Sequence, residues 1–216
     1  MDKTVLRMTV FTYARPYPAL GEEKEIDVEE FAAASEILPV FLDKLGCFPE
    51  IVKNDVRGNI RKMRDALAKD GIKYIKARLE KDKLQGIQAK GDSSSVAVLW
   101  LRRALLFMWY LQKLLIEDHL TNKEPDSLYE ASQKAYSLSL DKYHNFATRA
   151  IFKTVLRFVP TRTTALASLA DGAPVAQVIQ DMQEMMEKLW PLLVVIRGYF
   201  IEVDEVRYKK EFRGED

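Results

Sequence analysis

The sequence has one cysteine, Cys47, in 216 residues, so no intramolecular disulfide can form and a reducing compartment is expected. It has two histidines, His119 and His144, 25 residues apart and without a further Cys or His in ligand spacing. A zinc-type site is therefore not expected, nor any other metal or cofactor. It has no surplus of one charge: 33 Lys and Arg against 32 Asp and Glu leave +1, which offers nucleic acid no electrostatic footprint. Gly-rich phosphate loops, H-E-x-x-H and the nucleophile elbow are missing. Asp55 and His144 could be paired as acid and base, but no nucleophile accompanies them and Cys47 has no activating signature, so the chain is not expected to be an enzyme. Long uninterrupted apolar runs are also missing. Met1 to Arg7 lacks a signal-peptide core, Asp2 stands where myristoylation needs glycine, and Phe212 to Asp216 carries no prenylation box. The most apolar stretch, Val96 to Ile116, is broken by Arg102, Arg103, Gln112 and Lys113, and so reads as no membrane span. A cytoplasmic protein is expected.

What the chain does have is helical periodicity. At this length, one domain over 1–216 can bury roughly 70% of its unfolded surface, enough for a large core or an internal apolar cavity. Met8 to Tyr13 reads as a short strand or loop before Pro16 and Pro18. The first helix starts at Asp27, with Glu30 completing a capping box, and its apolar positions Phe31, Ala34, Leu38, Phe41, Leu42 and Leu45 recur at helical spacing to a stop at Gly46. Pro39 inside it predicts a kink. A second helix spans roughly 49–69 and ends at Asp70-Gly71, and a third spans 72–90. Val96 to about Leu120 is apolar on nearly every face and is the expected spine. Residues 127–140 read as helical. Asp141 to Phe146 leads into an apolar-periodic segment with Ile151, Phe152, Val155, Leu156 and Phe158, closed by Pro160. Helices follow over 161–170 and about 175–203, the last with a bend at Pro191. The charged tail from Asp204 carries Val206, Tyr208 and Phe212 with which to dock. Eight or so helices without a convincing strand make an all-α fold.

One stretch has unusual chemistry. In Asp55-Val-Arg-Gly-Asn59-Ile-Arg-Lys62, Asn59 lies about 40° from Asp55 around the helix and Lys62 about 20° the other way. A carboxylate, a carboxamide and an ammonium thus share one direction, an inventory suited to a hydroxyl-rich or amide ligand, and equally to a solvated face. From Arg61 to Lys90 there are ten Lys/Arg against four Asp/Glu, which is either a patch for anionic phospholipid headgroups or a solvated helix surface.

Four segments together resemble the glycolipid transfer protein family, and nearly the whole chain follows its pattern. Phe31 through Leu38-Pro39-Val40-Phe41-Leu42-Asp43-Lys44-Leu45-Gly46 is similar to the family's first helix. Asp55 to Lys62 matches its D-x-x-x-N-x-x-K headgroup motif. Trp100-Leu-Arg-Arg-Ala-Leu matches W-L-[KR]-R-[GA]-L, and Tyr143-His144-Asn145-Phe146, followed by Ile151-Phe152 and Pro160, matches the segment of the family histidine. The resemblance implies a two-layer sandwich of about eight helices around an apolar lipid pocket, without cofactor. It implies energy-independent transfer of sugar-headed sphingolipids between membranes by a protein that touches the membrane transiently and is expected to be a monomer. Carried across, Asp55, Asn59 and Lys62 would bind the first sugar, with Asp55 also accepting the ceramide amide N–H. Trp100 would stack on the sugar ring, and His144 would donate to the amide carbonyl.

A related branch binds ceramide-1-phosphate with arginine at the Trp100 position and one turn earlier, where this chain has Val96, so the resemblance favours a sugar over a phosphate. A ceramide-1-phosphate carrier, and a glycolipid sensor that binds without ferrying, are the alternatives. Phe146 stands where tryptophan is expected at the membrane-docking surface. The expected wall of the lipid pocket comprises Phe41, Leu42, Leu45, Val96, Phe107, Leu111, Ile151, Phe152 and Leu156.

Overall fold

In the computed structural model, which describes residues 8–215, those residues form ten α-helices and two 3-10 turns, with no strand beyond an isolated Asp27–Tyr74 bridge. The sequence readings on Met1 to Arg7 and Asp216 lie outside the described residues. The strand alternative at Met8–Tyr13 gives way to a turn, in which the Thr12 N–H donates to the Thr9 carbonyl and the Thr9 hydroxyl reaches the Asp181 carboxylate at 2.5 Å.

The capping residue Asp27 starts α1 (Val28–Ser35), its Oδ1 accepting from the N–H groups of Glu29 and Glu30 at 2.8 and 3.0 Å. The expected single kinked helix is instead two, because Pro39 has no N–H for the Ser35 carbonyl and its ring would clash there. The chain closes α1 at Glu36, whose N–H bonds back to Ala33, and restarts as α2 (Ile37–Leu45) with Pro39 in the first turn, where no intrahelical N–H bond is due. Gly46, at φ 73°, takes the left-handed exit that ends α2.

α3 (Glu50–Asp70) ends at Gly71, and α4 covers only Ile75–Leu84 of the expected 72–90. Before α4, residues 72–74 run extended beside 26–28, with the Val28 N–H on Lys73 and the Ile75 N–H on Ile26. Half of the ten cations in the 61–90 stretch are taken up by ion pairs: Arg64 with Glu29 and Glu36, Arg78 and Lys81 with Asp70, Lys76 with Glu202, and Lys83 with Asp204. α5 (Ser94–Leu120), begun by the Ser93 hydroxyl on the Val96 N–H, is about 40 Å long. Contrary to the sequence reading, it is long and apolar enough to cross a membrane by composition, yet 72% of its most apolar window is buried inside the fold. It is the core helix, packed on α3, α4, α9 and α6 (Tyr129–Ser139).

Asn145 caps α7 (Phe146–Val155), which is followed by α8 (Arg162–Ala170), α9 (Val175–Val203, continuing through Pro191) and α10 (Glu205–Glu211). The series α1, α3, α5, α6 lies against a second series, α2, α8, α9, with α4 and α10 on α9. Buried apolar residues from Val10 to Phe212 form one contiguous cluster between them. The tail docks through Tyr208 and Phe212, each 1% exposed, whereas Val206 stays in solvent.

Candidate functional site

A cavity of about 430 Å³ lies between α2, α3, α5 and the segment from Leu140 to α7. Its wall takes Leu38 and Leu42 from α2, Val52, Asp55 and Val56 from α3, and Trp100, Ala104 and Phe107 from α5, with Phe48, Tyr143, His144, Ile151 and Phe152 closing it. Ile51 and Ile151 belong to the same wall yet are 72% and 50% exposed, so they mark its mouth. A larger cleft of about 560 Å³ runs between α2 and α3 on the outside, but it is lined by charges such as Arg57, Arg64 and Asp43 that are already engaged in ion pairs.

Of the expected headgroup residues, Asp55, Trp100 and His144 share this cavity. Asn59 sits one turn beyond Asp55, 5% exposed, and its Nδ2–H donates to Asp55 Oδ2 at 3.3 Å. Lys62 turns its ammonium to the Gly91 carbonyl at 2.9 Å, tying α3 to the loop before α5. Asp55 is left with no cation in direct contact. The protein mass around it raises its carboxyl above the usual range, against the opposing pull of Lys62 and Asn59.

His144 is the best-braced group in the site. Its ring lies 4.8 Å from Phe152, 5.6 Å from Tyr136 and 5.8 Å from Trp100, the last with planes only 22° apart. Tyr136 Oη is 3.0 Å from Nδ1. Burial pushes the Tyr136 phenol up to about 12 and pulls the imidazole down. A protonated phenol beside a neutral ring can give or take this hydrogen bond according to the tautomer; with the phenol as donor to Nδ1, the ring carries its own hydrogen on Nε2 and can donate from there. Sequence reasoning missed Tyr136, eight residues upstream on α6, because no local pattern marks a tyrosine as a histidine's partner. It also missed Tyr143 and Phe48 as wall residues.

The expected apolar wall divides in two. Leu42, Phe107, Ile151 and Phe152 face the cavity. Phe41, Leu45, Leu111 and Leu156 are at most 3% exposed and lie in the packed core outside the cavity wall, and Val96, half-buried, is also off the wall. Phe146 is the first residue of α7 and is 88% exposed, next in sequence to the wall residue Asn145.

The described wall residues include one carboxylate and one imidazole and no lysine or arginine. Arg102 and Arg103, which follow Trp100, are both 3% exposed and paired with Glu215 and Glu211. The arrangement can hold a long apolar group along its length, and at one end accept and donate hydrogen bonds beside an indole face.

The chain is also similar to known proteins in sequence and in fold. The glycolipid transfer protein family model matches residues 26–171. Glycolipid transfer protein A of Xenopus laevis is 30% identical over 165 residues, covering 74% of this chain and 78% of that one. Glycolipid transfer protein 3 of Arabidopsis thaliana is 30% identical over 177 residues, covering 79% and 74%. Among solved structures, one describing how FAPP2 selects simple glycosphingolipids using the GLTP-fold superposes with a TM-score of 0.77 at 21% identity, over 91% of this chain and 96% of that one. Human ceramide-1-phosphate transfer protein in complex with 12:0 ceramide-1-phosphate gives 0.72 at 20% identity, over 85% and 90%.

Proposed function

The chain belongs to the glycolipid transfer protein family, and from that premise we propose that it binds one sugar-headed sphingolipid in the α2–α3–α5–α7 cavity and carries it between membranes without energy input. The observation that carries the reading is the wall itself: Asp55, Trp100 and His144 beside an apolar run, with no cation. A phosphate headgroup would meet the Asp55 carboxylate with no arginine or lysine to receive it, and like charges in a partly desolvated site repel. Arg102 and Arg103 are engaged by Glu215 and Glu211 and do not supply the missing charge. A neutral sugar has the opposite match.

In this reading Asp55 accepts from the ceramide amide N–H and from a sugar hydroxyl. Asn59 holds the carboxylate in place through the hydrogen bond its Nδ2–H donates to it. Lys62 stays on the Gly91 carbonyl, off the cavity wall, and there holds α3 against the loop before α5 instead of meeting the headgroup. Trp100 receives the apolar face of the sugar ring, and His144 Nε2–H donates to the amide carbonyl. The apolar wall receives the chains. Each methylene taken out of water is worth about 0.8 kcal/mol, so a sixteen-carbon chain represents roughly 13 kcal/mol, which makes unassisted escape from a bilayer slow. A protein that exchanges a bilayer's apolar contacts for its own lowers that barrier at little net cost and needs no nucleotide or enzymatic step.

The yielding wall is α7, whose ten residues contribute only Phe152 to the buried set. Phe146 at its start and the exposed Ile151 and Ile51 at the mouth form the surface that enters the membrane interface during exchange. The whole of residues 1–216 acts as one monomeric carrier in the cytoplasm, with transient membrane contact. Vesicles test this. Labelled galactosylceramide in donor vesicles should reach acceptors at a rate proportional to protein concentration. Saturable binding with no faster exchange would convert the carrier into a sensor.

A further inference from the structure

Beyond the residues matched by the family model, α10 and the segment after it close on the two arginines that follow Trp100. The Arg103 guanidinium carbon lies 4.7 Å from the centroid of the Trp100 ring and 3.5 Å from that of Tyr143, so it fills the space between two rings that both border the cavity. Its Nη2–H donates to Glu211, while its Nε is buried with no hydrogen-bond partner. One carboxylate and two ring faces therefore hold the guanidinium. Arg102 alongside gives its Nε–H to the Leu193 carbonyl at 2.9 Å and its Nη1–H to Glu215 at 2.8 Å. The Tyr143 hydroxyl donates to Glu215 and sits 3.0 Å from the Glu211 carbonyl oxygen.

We propose that Glu211, acting through Arg103, is a positioning residue for the headgroup platform, so that α10 sets the orientation and rigidity of Trp100 and Tyr143. A guanidinium held over two aromatic rings in a desolvated place needs a counter-charge. Remove Glu211 and the cation is driven toward water, leaving both rings without the group that fills the gap between them. Glu215 supports the same unit through Arg102 and the Tyr143 hydroxyl. The effect on sugar-headed lipid rests on the function proposed above, whereas the effect on Trp100 does not.

The test uses the full chain with Trp109→Phe and Trp190→Phe, which leaves Trp100 as the single indole of three. Acrylamide quenching and emission anisotropy are read without lipid, alongside the thermal midpoint. Glu211→Gln should raise quenching and lower anisotropy, but it strands a buried cation and risks unfolding. The double variant Arg103→Gln/Glu211→Gln strands none, and should keep the fold while showing the same freed indole. Arg103→Lys keeps a cation for Glu211 but not a guanidinium wide enough to lie over both rings, and should also free Trp100. In the double variant, affinity for galactosylceramide should fall about five- to tenfold, with ceramide lacking a headgroup unchanged. A folded double variant whose Trp100 is as shielded and as rigid as in the parent overturns the proposal, as does an unchanged Arg103→Lys. If the variants free Trp100 while the parent binds no galactosylceramide, the positioning role stands and the functional reading falls.

Discussion

Replacing Asp55 by asparagine should separate the cost of the site from its use. Asp55 faces the cavity with Lys62 turned away to Gly91 and one hydrogen bond from Asn59, and its carboxyl is raised, by loss of solvent above all. A carboxylate whose folded-state value lies above its unfolded value binds more protons in the folded protein. It therefore favours the fold at acid pH, and that contribution is lost as pH rises through the folded value. At pH 7 the ionised group is a net burden on the free protein, so Asp55→Asn should leave the thermal midpoint unchanged or higher. Binding should move the other way. A hydrogen bond from the ligand to a charged acceptor is worth about 1.5–3 kcal/mol, so galactosylceramide affinity should drop roughly 10- to 150-fold. Calorimetric melting and a tryptophan-emission titration with galactosylceramide read the two halves. A variant that melts well below the parent at pH 7, or that binds sugar-headed lipid as tightly as the parent, would refute the reasoning.

His144 has its imidazole pulled below the ordinary 6.5 by burial, so its contribution to stability is complete above 6.5 and is lost as pH falls through the folded value. Urea midpoints should decline between pH 7.5 and 5, and His144→Gln should flatten part of that decline. Phe152 is 8% exposed and touches Tyr136 and His144 at 5.0 and 4.8 Å, so Phe152→Ala should cost about 3 kcal/mol in urea unfolding, toward the low end for a buried phenylalanine because the side chain borders a void. Phe146, 88% exposed, should change stability by no more than about 0.5 kcal/mol on replacement by alanine, yet slow transfer between vesicles because an apolar residue at the rim is lost.

Helix periodicity carried most of the architecture. The 175–203 helix, the Asp27 cap and the stops at Gly46 and Gly71 follow from local rules that the rest of the fold does not override. The break at Glu36 was visible only as a kink at Pro39, since sequence identifies the offending proline but not where the chain finds it cheapest to yield. Periodicity marks which residues leave water, not which of them meet a neighbour and which a void. On α5, apolar on nearly all sides, Phe107 borders the cavity and Leu111, one turn on, does not. The closeness of Asp55 and Asn59 was legible because residues four apart share one helix face, whereas the turn of Lys62 to Gly91 was not. The Tyr136 bond to His144 and the pairs Arg102–Glu215 and Arg103–Glu211 were not, the last two joining residues over 100 positions apart.

Selection of a sphingolipid by a neutral sugar and an amide is measured directly by a competition. Donor vesicles carrying labelled galactosylceramide and labelled ceramide-1-phosphate in equal amounts are mixed with the protein and unlabelled acceptors. The wall of Asp55, Trp100 and His144 without a cation predicts that the sugar-headed lipid moves and the phosphate-headed lipid stays at the spontaneous rate. Transfer of ceramide-1-phosphate in preference to galactosylceramide would contradict it.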